Sequence, residues 1–415
     1  MCIEVAADDG TRILLDLGMP LYDDAHADYP RGTPERPTRE LTAEGILPEV
    51  AGLYAEDPAA PDIAAIVLTH AHLDHYGLAH HAHAGIPVYG SVGTLAILRV
   101  NEVFFPEAGH VSDLRELPTD ATLRIGSISV TAIPVDHAAP DSRALLVESD
   151  HQRLLYTGDP RAHGRTGFRF DALLADPRVH GVDTLLIEGT TLGATASGHG
   201  QRSETDVEDG LAELAASRPD SLIAVACSGQ NIDRLVSCYR AARRCGRDLV
   251  VDPYQAYILR ELAPLSPRIP QLEWEHVRVC FAPHQVERLK QAGLMERVYA
   301  MKDAGKVSTD ELAEHPERYL MSTRSGFGLT KVFDKVGAER VELVWSQWSG
   351  YWKRNGCAMR EWAEKRGTRV SFIHSGGHAW PEDLARLTEA IAAKETVHVH
   401  TEVNGPSSGA GGEGT

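Results

Sequence analysis

The sequence has no C-x-x-C pair, no apolar run long enough to cross a bilayer, no basic and apolar leader at its start, and no repeat at solenoid spacing. Each absence excludes a class. Six scattered cysteines (Cys2, Cys227, Cys238, Cys245, Cys280 and Cys357) build neither a disulfide framework nor a thiolate zinc finger, and most are expected to be small core residues. The opening Met1-Cys-Ile-Glu-Val directs nothing to an oxidising compartment, so the cytoplasm is the expected location and no membrane partner is expected. Cations are also scarce: 41 Lys and Arg against 59 Asp and Glu leave a net charge of -18, a field that repels polyanions at long range. That field argues against promiscuous nucleic-acid binding, although it leaves room for a local basic groove and bound divalent cations would offset it where an active site needs it. What is present is ordinary for a globular chain: 415 residues, 43% hydrophobic and 24% charged, enough for two domains.

Apolar, β-branched runs alternate with helical periodicity. Thr11 to Leu17, Ile63 to Leu68, Ile128 to Val135, Ala144 to Val147, Leu154 to Thr157 and Thr184 to Ile187 read as strands. From about Ser203 the pattern becomes strand-then-helix units, with strands expected at Leu222 to Ala226, Leu249 to Val251, Val277 to Phe281 and Val341 to Trp345. Val370 to Ile373 and Val397 to Val399 then return to His-rich strand ends like those of the first half. An insertion accounts for this order: residues 1–195 and 356–404 form one domain around residues 196–355, and the glycine-rich residues 405–415 are expected to be disordered.

The densest chemistry follows the Ile63 strand. Thr69-His70-Ala-His72-Leu-Asp74-His75 carries three imidazoles and a carboxylate in six residues, and both donor types suit Zn²⁺ or a similar cation. In extended backbone His70 and His72 share a side, and a turn after them brings Asp74 and His75 to a neighbouring position. His80, His81 and His83 warn that the chain uses histidine freely, but ligand types at H-x-H-x-D-H spacing directly after a strand are hard to attribute to a surface loop. Two metals need more donors. His137 and Asp159 each follow an apolar strand, and Gly158 permits the close backbone approach a bridging carboxylate requires.

These segments resemble the metallo-β-lactamase superfamily over nearly the whole chain, and His137-Ala-Ala-Pro-Asp141-Ser142 with Thr157-Gly-Asp159 resembles RNase J and its relatives. Glu188 in Leu186-Ile-Glu188-Gly-Thr-Thr191, His378 in His374-Ser-Gly-Gly-His378-Ala379 and His400 in Val397-His398-Val-His400 resemble motifs of the β-CASP branch, and Cys227-Ser-Gly-Gln-Asn231 through Arg234 resembles an RNase J segment of its insertion. The resemblance implies an α/β fold, a metallo-β-lactamase αββα sandwich with an inserted parallel β-CASP-like domain. It also implies two divalent metal ions, Zn²⁺ first and Mn²⁺ as the alternative. His70, His72 and His137 would hold one ion; Asp74, His75 and His400 the other; Asp159 would bridge them. Asp74, His378 and Glu188 carry the catalytic roles, His378 beside the leaving group or a substrate phosphate with Glu188 supporting it. The implied function is a phosphodiesterase or ribonuclease acting through a metal-bridging hydroxide on RNA or single-stranded DNA, hence a role in RNA processing.

The chain departs from the pattern at Gly376, where relatives carry a serine that can hydrogen-bond phosphate; Ser375 is the nearest substitute. A glycine-rich strand expected before Cys2 and the extra C-terminal domain of RNase J have no counterpart here, so oligomerisation through that domain is not expected and the oligomeric state stays open. Aromatics concentrate in Trp345-Ser-Gln-Trp348-Ser-Gly-Tyr351-Trp352, fit either to stack bases or to fill an interface core. His374 and His398 are expected to be packing or supporting residues. Two rival functions remain: hydrolysis of a small ester, amide or thioester, because a metal pair does not choose its electrophile, and a catalytically idle protein that keeps metal for folding.

Overall fold

The computed structural model describes residues 1–23, 27–30, 32–57, 61–149, 151–192, 203–324 and 327–401. The glycine-rich tail at 405–415 lies outside the described residues. Five strands form the first sheet: Ile3–Ala6, Arg12–Leu15, Ala65–Val67, Val88–Gly90 and Leu114–Glu116 (β1 to β5), ordered as in the chain. A second sheet begins with Thr122–Ile125, Ile128–Pro134, Arg143–Glu148, Arg153–Tyr156 and Thr184–Glu188 (β6 to β10). The chain then builds a separate sheet from Leu222–Ala226, Asp248–Val251, Val277–Cys280, Lys306–Val307, Tyr319–Thr323, Val341–Trp345 and Arg369–Phe372 (β11 to β17). It returns through Glu395–Val399 (β18), which completes the second sheet in the order β18-β10-β9-β8-β7-β6.

Side-chain alternation explains the layering, because successive residues of a strand face opposite sides. Ile13, Leu15, Ala65 and Val67 point inward against Val130, Ala132, Leu145, Val147 and Tyr156 of the facing sheet. Their neighbours point outward: Leu14, Ile66 and Leu68 meet Ile97 and Leu98 of the helix Val92–Phe104, while Ile133, Leu146, Leu155 and Ile187 meet Phe170, Leu173, Leu384 and Leu387. Both outer faces carry helices, which makes the αββα sandwich expected from the sequence.

The inserted sheet is wholly parallel, in the order β14-β13-β12-β15-β11-β16-β17, with helices on both faces as its strand-then-helix pattern requires. One expectation is corrected here. Val370 to Ile373 was expected to return to the first half, yet β17 pairs in parallel with β16 (Glu342↔Arg369 to Trp345↔Phe372) and closes the edge of the inserted sheet. The switch back falls after it, in the loop bearing His374 and His378. The edge of the first sheet is β1, antiparallel to β2. No described helix is long and apolar enough to cross a membrane.

Candidate metal centre

Strand direction gathers the donors. β9, β10 and β18 run parallel, with Tyr156 beside Leu186, Leu186 beside Val397, and Glu188 beside Val399. Asp159, Glu188 and His400 therefore leave neighbouring strands at one edge of the sandwich. β7, antiparallel to β8 as β8 is to β9, ends at that edge and delivers His137. From the facing sheet, β3 ends there with Thr69 to His75, whose Leu73–Tyr76 turn of helix places Asp74 and His75 behind the extended His72. Gly158 has φ 55, and a Cβ there would stand 2.9 Å from the Arg143 carbonyl oxygen, so the bend into Asp159 needs glycine.

Three donor groups result among the described residues, His70 with His72 and His137, Asp74 with His75, Asp159 and His400, and Glu188 with His378 and His400; within each, the ligand atoms lie within 4.8 Å of one another. In the first, His70 Nε2 is 3.2 Å and His137 Nε2 3.0 Å from His72 Nδ1. His137 Nδ1 donates to the Gly377 carbonyl at 2.6 Å, which leaves its Nε2 as a lone pair aimed at the others. Burial, reinforced by the neighbouring imidazoles, holds His70 and His137 well below the usual histidine range, and burial brings His72 down to about 4. Neutral nitrogens converging without enough protons are what a cation relieves; a tetrahedral ion at about 2.0–2.1 Å sets its nitrogens ~3.3 Å apart.

In the second group Asp74 Oδ2 lies 2.8 Å from His400 Nε2 and 3.9 Å from His75 Nε2. Asp159 Oδ2 is 3.1 Å from His75 Nε2 and 3.7 Å from His70 Nε2, so one oxygen stands between the first two groups. Burial opposes charge on His75, yet the Asp159 and Asp16 carboxylates outweigh it and hold its pKa well above the usual value. A cation in place of that proton would satisfy the same Asp159 oxygen. The donor chemistry of the first two groups fits one divalent ion each.

Glu188 is fully buried and accepts the backbone N–H groups of Thr190 at 2.9 Å and Ala379 at 3.1 Å. Its Oε2 is 3.6 Å from His378 Nδ1. Burial lowers the basicity of His378, but Glu188 and then Asp159 push its pKa up to about 9. His378 also approaches Asp159 Oδ2 at 3.9 Å and stacks on His400 at 5.5 Å between centroids. All the candidate site residues from the sequence thus share one edge.

Other residues named from the sequence fall outside the cradle. His398 is exposed on the edge strand. His374 touches Arg234 (3.3 Å), and burial beside that guanidinium lowers its pKa to about 3. Asp141 pairs with Arg143 at 2.7 Å, and Ser142 donates to the Ala139 carbonyl. Ser375 is 1% exposed and its hydroxyl has no partner among the described residues, so it is not presented where a phosphate could reach it.

Sequence reasoning missed Asp16. It directly follows β2 with φ 59, is fully buried, and accepts from His75 Nδ1 at 2.7 Å, the Tyr156 hydroxyl at 2.8 Å and the Thr69 N–H at 2.8 Å. This fixes the His75 tautomer so that Nε2 faces Asp159. An acidic residue directly after an apolar strand is the signal that marked Asp159, and it was legible at Leu14-Leu15-Asp16. Asp16→Ala is expected to weaken metal binding by about 10–100-fold without removing a donor, checked by titrating the stripped protein with Zn²⁺.

Residues 48–225 match the family model described as a β-lactamase superfamily domain. Ribonuclease J of Sinorhizobium meliloti is 26% identical over 225 residues, which are 52% of this chain and 37% of that protein. Ribonuclease J of Mycobacterium tuberculosis strain H37Rv is 31% identical over 49% of this chain and 36% of its own length. Ribonuclease J2 of Bacillus subtilis is 25% identical over 87% and 62% respectively. The chain therefore spans little more than a third of the first two relatives. A crystal structure of a protein of unknown function from Enterococcus faecalis V583 superposes with a TM-score of 0.73 over 96% of this chain and 90% of that one, at 20% identity, and so shares the fold. Residues 48–225 thus carry a domain of the β-lactamase superfamily. Beyond that domain, the chain is similar to ribonuclease J.

Proposed function

We propose that the chain is a dinuclear metal-dependent phosphodiesterase that cleaves RNA or single-stranded DNA. The observation that carries this reading is the single Asp159 oxygen placed between His75 and His70, with the Glu188–His378 pair beside it. His70, His72 and His137 are assigned to one ion, Asp74, His75 and His400 to the other, and Asp159 to both. When bound, such a pair lowers the pKa of water towards neutrality and offsets charge on attacking and leaving oxygens. Zn²⁺ suits the imidazole-rich first group, and six unpaired cysteines suit a reducing compartment such as the cytoplasm.

The chain's own residues supply the rest. Glu188, held by two backbone N–H groups, keeps His378 protonated and oriented. His378 then gives its proton to the leaving oxygen, which becomes an alcohol. Thr190 Oγ1 stands 2.7 Å from His400 Nδ1 and 3.3 Å from His378 Nδ1, orienting both rings. Three interaction sets steady the backbone under His378: Arg234 donates to the Ser375 carbonyl, Arg161 and His163 to that of Gly376, and His137 to that of Gly377.

Labelled RNA, single-stranded DNA and bis-p-nitrophenyl phosphate, each with and without chelator, test the reading. Chelator-sensitive cleavage of a strand is expected; cleavage of small esters, amides or thioesters alone would favour the first rival, and no turnover the second. The proton donor has its own signature. His378→Ala is expected to slow strand cleavage, where an alkoxide leaves, by about 10²–10⁴-fold, while bis-p-nitrophenyl phosphate, whose leaving group needs no proton, loses about tenfold or less. Equal losses on both substrates would remove the acid role.

A further inference from the structure

The aromatic run at 345–352 is divided by the fold. Trp345 is 1% exposed and packs with Trp352 in the core of the inserted sheet, centroids 5.0 Å apart. Trp348 and Tyr351, by contrast, are 54% and 38% exposed, their rings 5.4 Å apart and nearly perpendicular at 88°. The Trp348 indole lies over Gly350, where a Cβ would come within 2.2 Å of the ring, so its position depends on the missing side chain. Arg354 covers Tyr351 at 4.4 Å and Tyr22 at 5.0 Å, donates to the Tyr22 hydroxyl and pairs with Asp28 at 2.6 Å.

These contacts tie the pair, through Arg354 and Tyr22, to the segment that runs beside the metal loop. Residues 17–22 run beside the metal loop, Leu17 N–H donating to the His75 carbonyl and Met19 N–H to that of Leu73. Leu21 and Leu73 add exposed apolar surface there. Tyr351 lies close enough to Asp74 for that carboxylate to join burial and Tyr22 in raising its pKa, against Arg354. At the other end of the segment, Ser346 donates to the Ile373 carbonyl, and Arg234 ties Ser346 to Ser375 in the loop leading to His378.

We propose that Trp348 and Tyr351 form a stacking subsite for an unpaired nucleobase, which holds a single strand so that its phosphodiester reaches the metal pair. The proposal rests on the phosphodiesterase reading and adds how the strand is held. A chain of net charge -18 does not draw a polyanion by its overall field, and Arg354 is already neutralised by Asp28. Away from the metal-neutralised centre, contacts indifferent to charge then supply affinity, and stacking on aromatic side chains is sequence-tolerant and of that kind.

The test uses the full chain with Zn²⁺ or Mn²⁺, a labelled single-stranded oligonucleotide, and an abasic strand of the same length. Trp348→Ala and Tyr351→Ala are each expected to raise KM for the normal strand by about 5- to 100-fold, with little effect on the abasic one. Trp348→Phe should retain most of the affinity, and Gly350→Ala, which displaces the indole, should resemble Trp348→Ala. Unchanged KM in the alanine variants, or equal losses on both strands, would overturn the subsite while wild-type cleavage leaves the nuclease reading standing. Failure of the wild type to cleave either strand would overturn both.

Discussion

Asp159→Asn is expected to lose about a thousandfold or more in metal-dependent hydrolysis. The substitution keeps the size of the side chain but removes the charge of an oxygen placed 3.1 Å from His75 Nε2 and 3.7 Å from His70 Nε2. A carboxylate serving two cations contributes several kcal/mol to their joint placement, and about 1.4 kcal/mol is tenfold in rate. The neighbouring imidazoles hold Asp159 well below the usual carboxylate range despite its burial. Metal content by mass spectrometry together with turnover of bis-p-nitrophenyl phosphate checks the outcome. Wild-type turnover in a variant that still carries two ions per chain would sink the bridging assignment.

Glu204→Gln is expected to destabilise the protein by about 3 kcal/mol at neutral pH, and the loss should vanish in acid. Glu204 is 1% exposed and paired in fork geometry with Arg234, at 2.8 Å to Nη2 and 3.2 Å to Nε, while Ser237 donates to it at 2.9 Å. Burial alone would raise its pKa; Arg234, and then Arg161, outweigh burial and lower it from 4.5 to about 2. A folded pKa below the unfolded one means stability that is complete above pH ~4.5 and disappears as pH falls through about 2. Urea denaturation of both proteins at pH 7 and near pH 3 reads the difference. A gap that stays constant across this range would remove the linkage. Because Arg234 also holds Ser346 and Ser375, the variant is further expected to loosen the loop that carries His378 and to lower turnover under conditions where it stays folded.

Strands buried along their whole length and apolar, or apolar but for one residue, such as Leu222–Ala226 and Val341–Trp345 with its Glu342, were legible to the residue. The short strands Val88–Gly90, Leu114–Glu116 and Thr122–Ile125 were not, since each has three or four residues and the latter two carry exposed polar positions. Tyr319–Thr323 was missed for a different reason. Its Ser322 and Thr323 are buried only because β11 and β12 flank it on both sides. Arg161 and Arg234 read as surface residues by type, and nothing local marks them as fully buried, because what permits their burial is Glu204, Asp136 and Asp233 arriving from elsewhere in the chain.

Donor identity and local spacing belong to the sequence alone: His70, His72, Asp74 and His75 follow a strand, and the extended backbone and turn between them require no distant partner. Which donors meet was decided by the parallel register of β9, β10 and β18, which brings Asp159, Glu188 and His400 to one edge. The same holds for Asp16 beneath His75 and for the division of the aromatic run into a buried Trp345 and an exposed Trp348. Exposure and convergence are properties of packed surfaces, set by long-range strand pairing and side-chain volume, and residue order along the chain does not encode them locally.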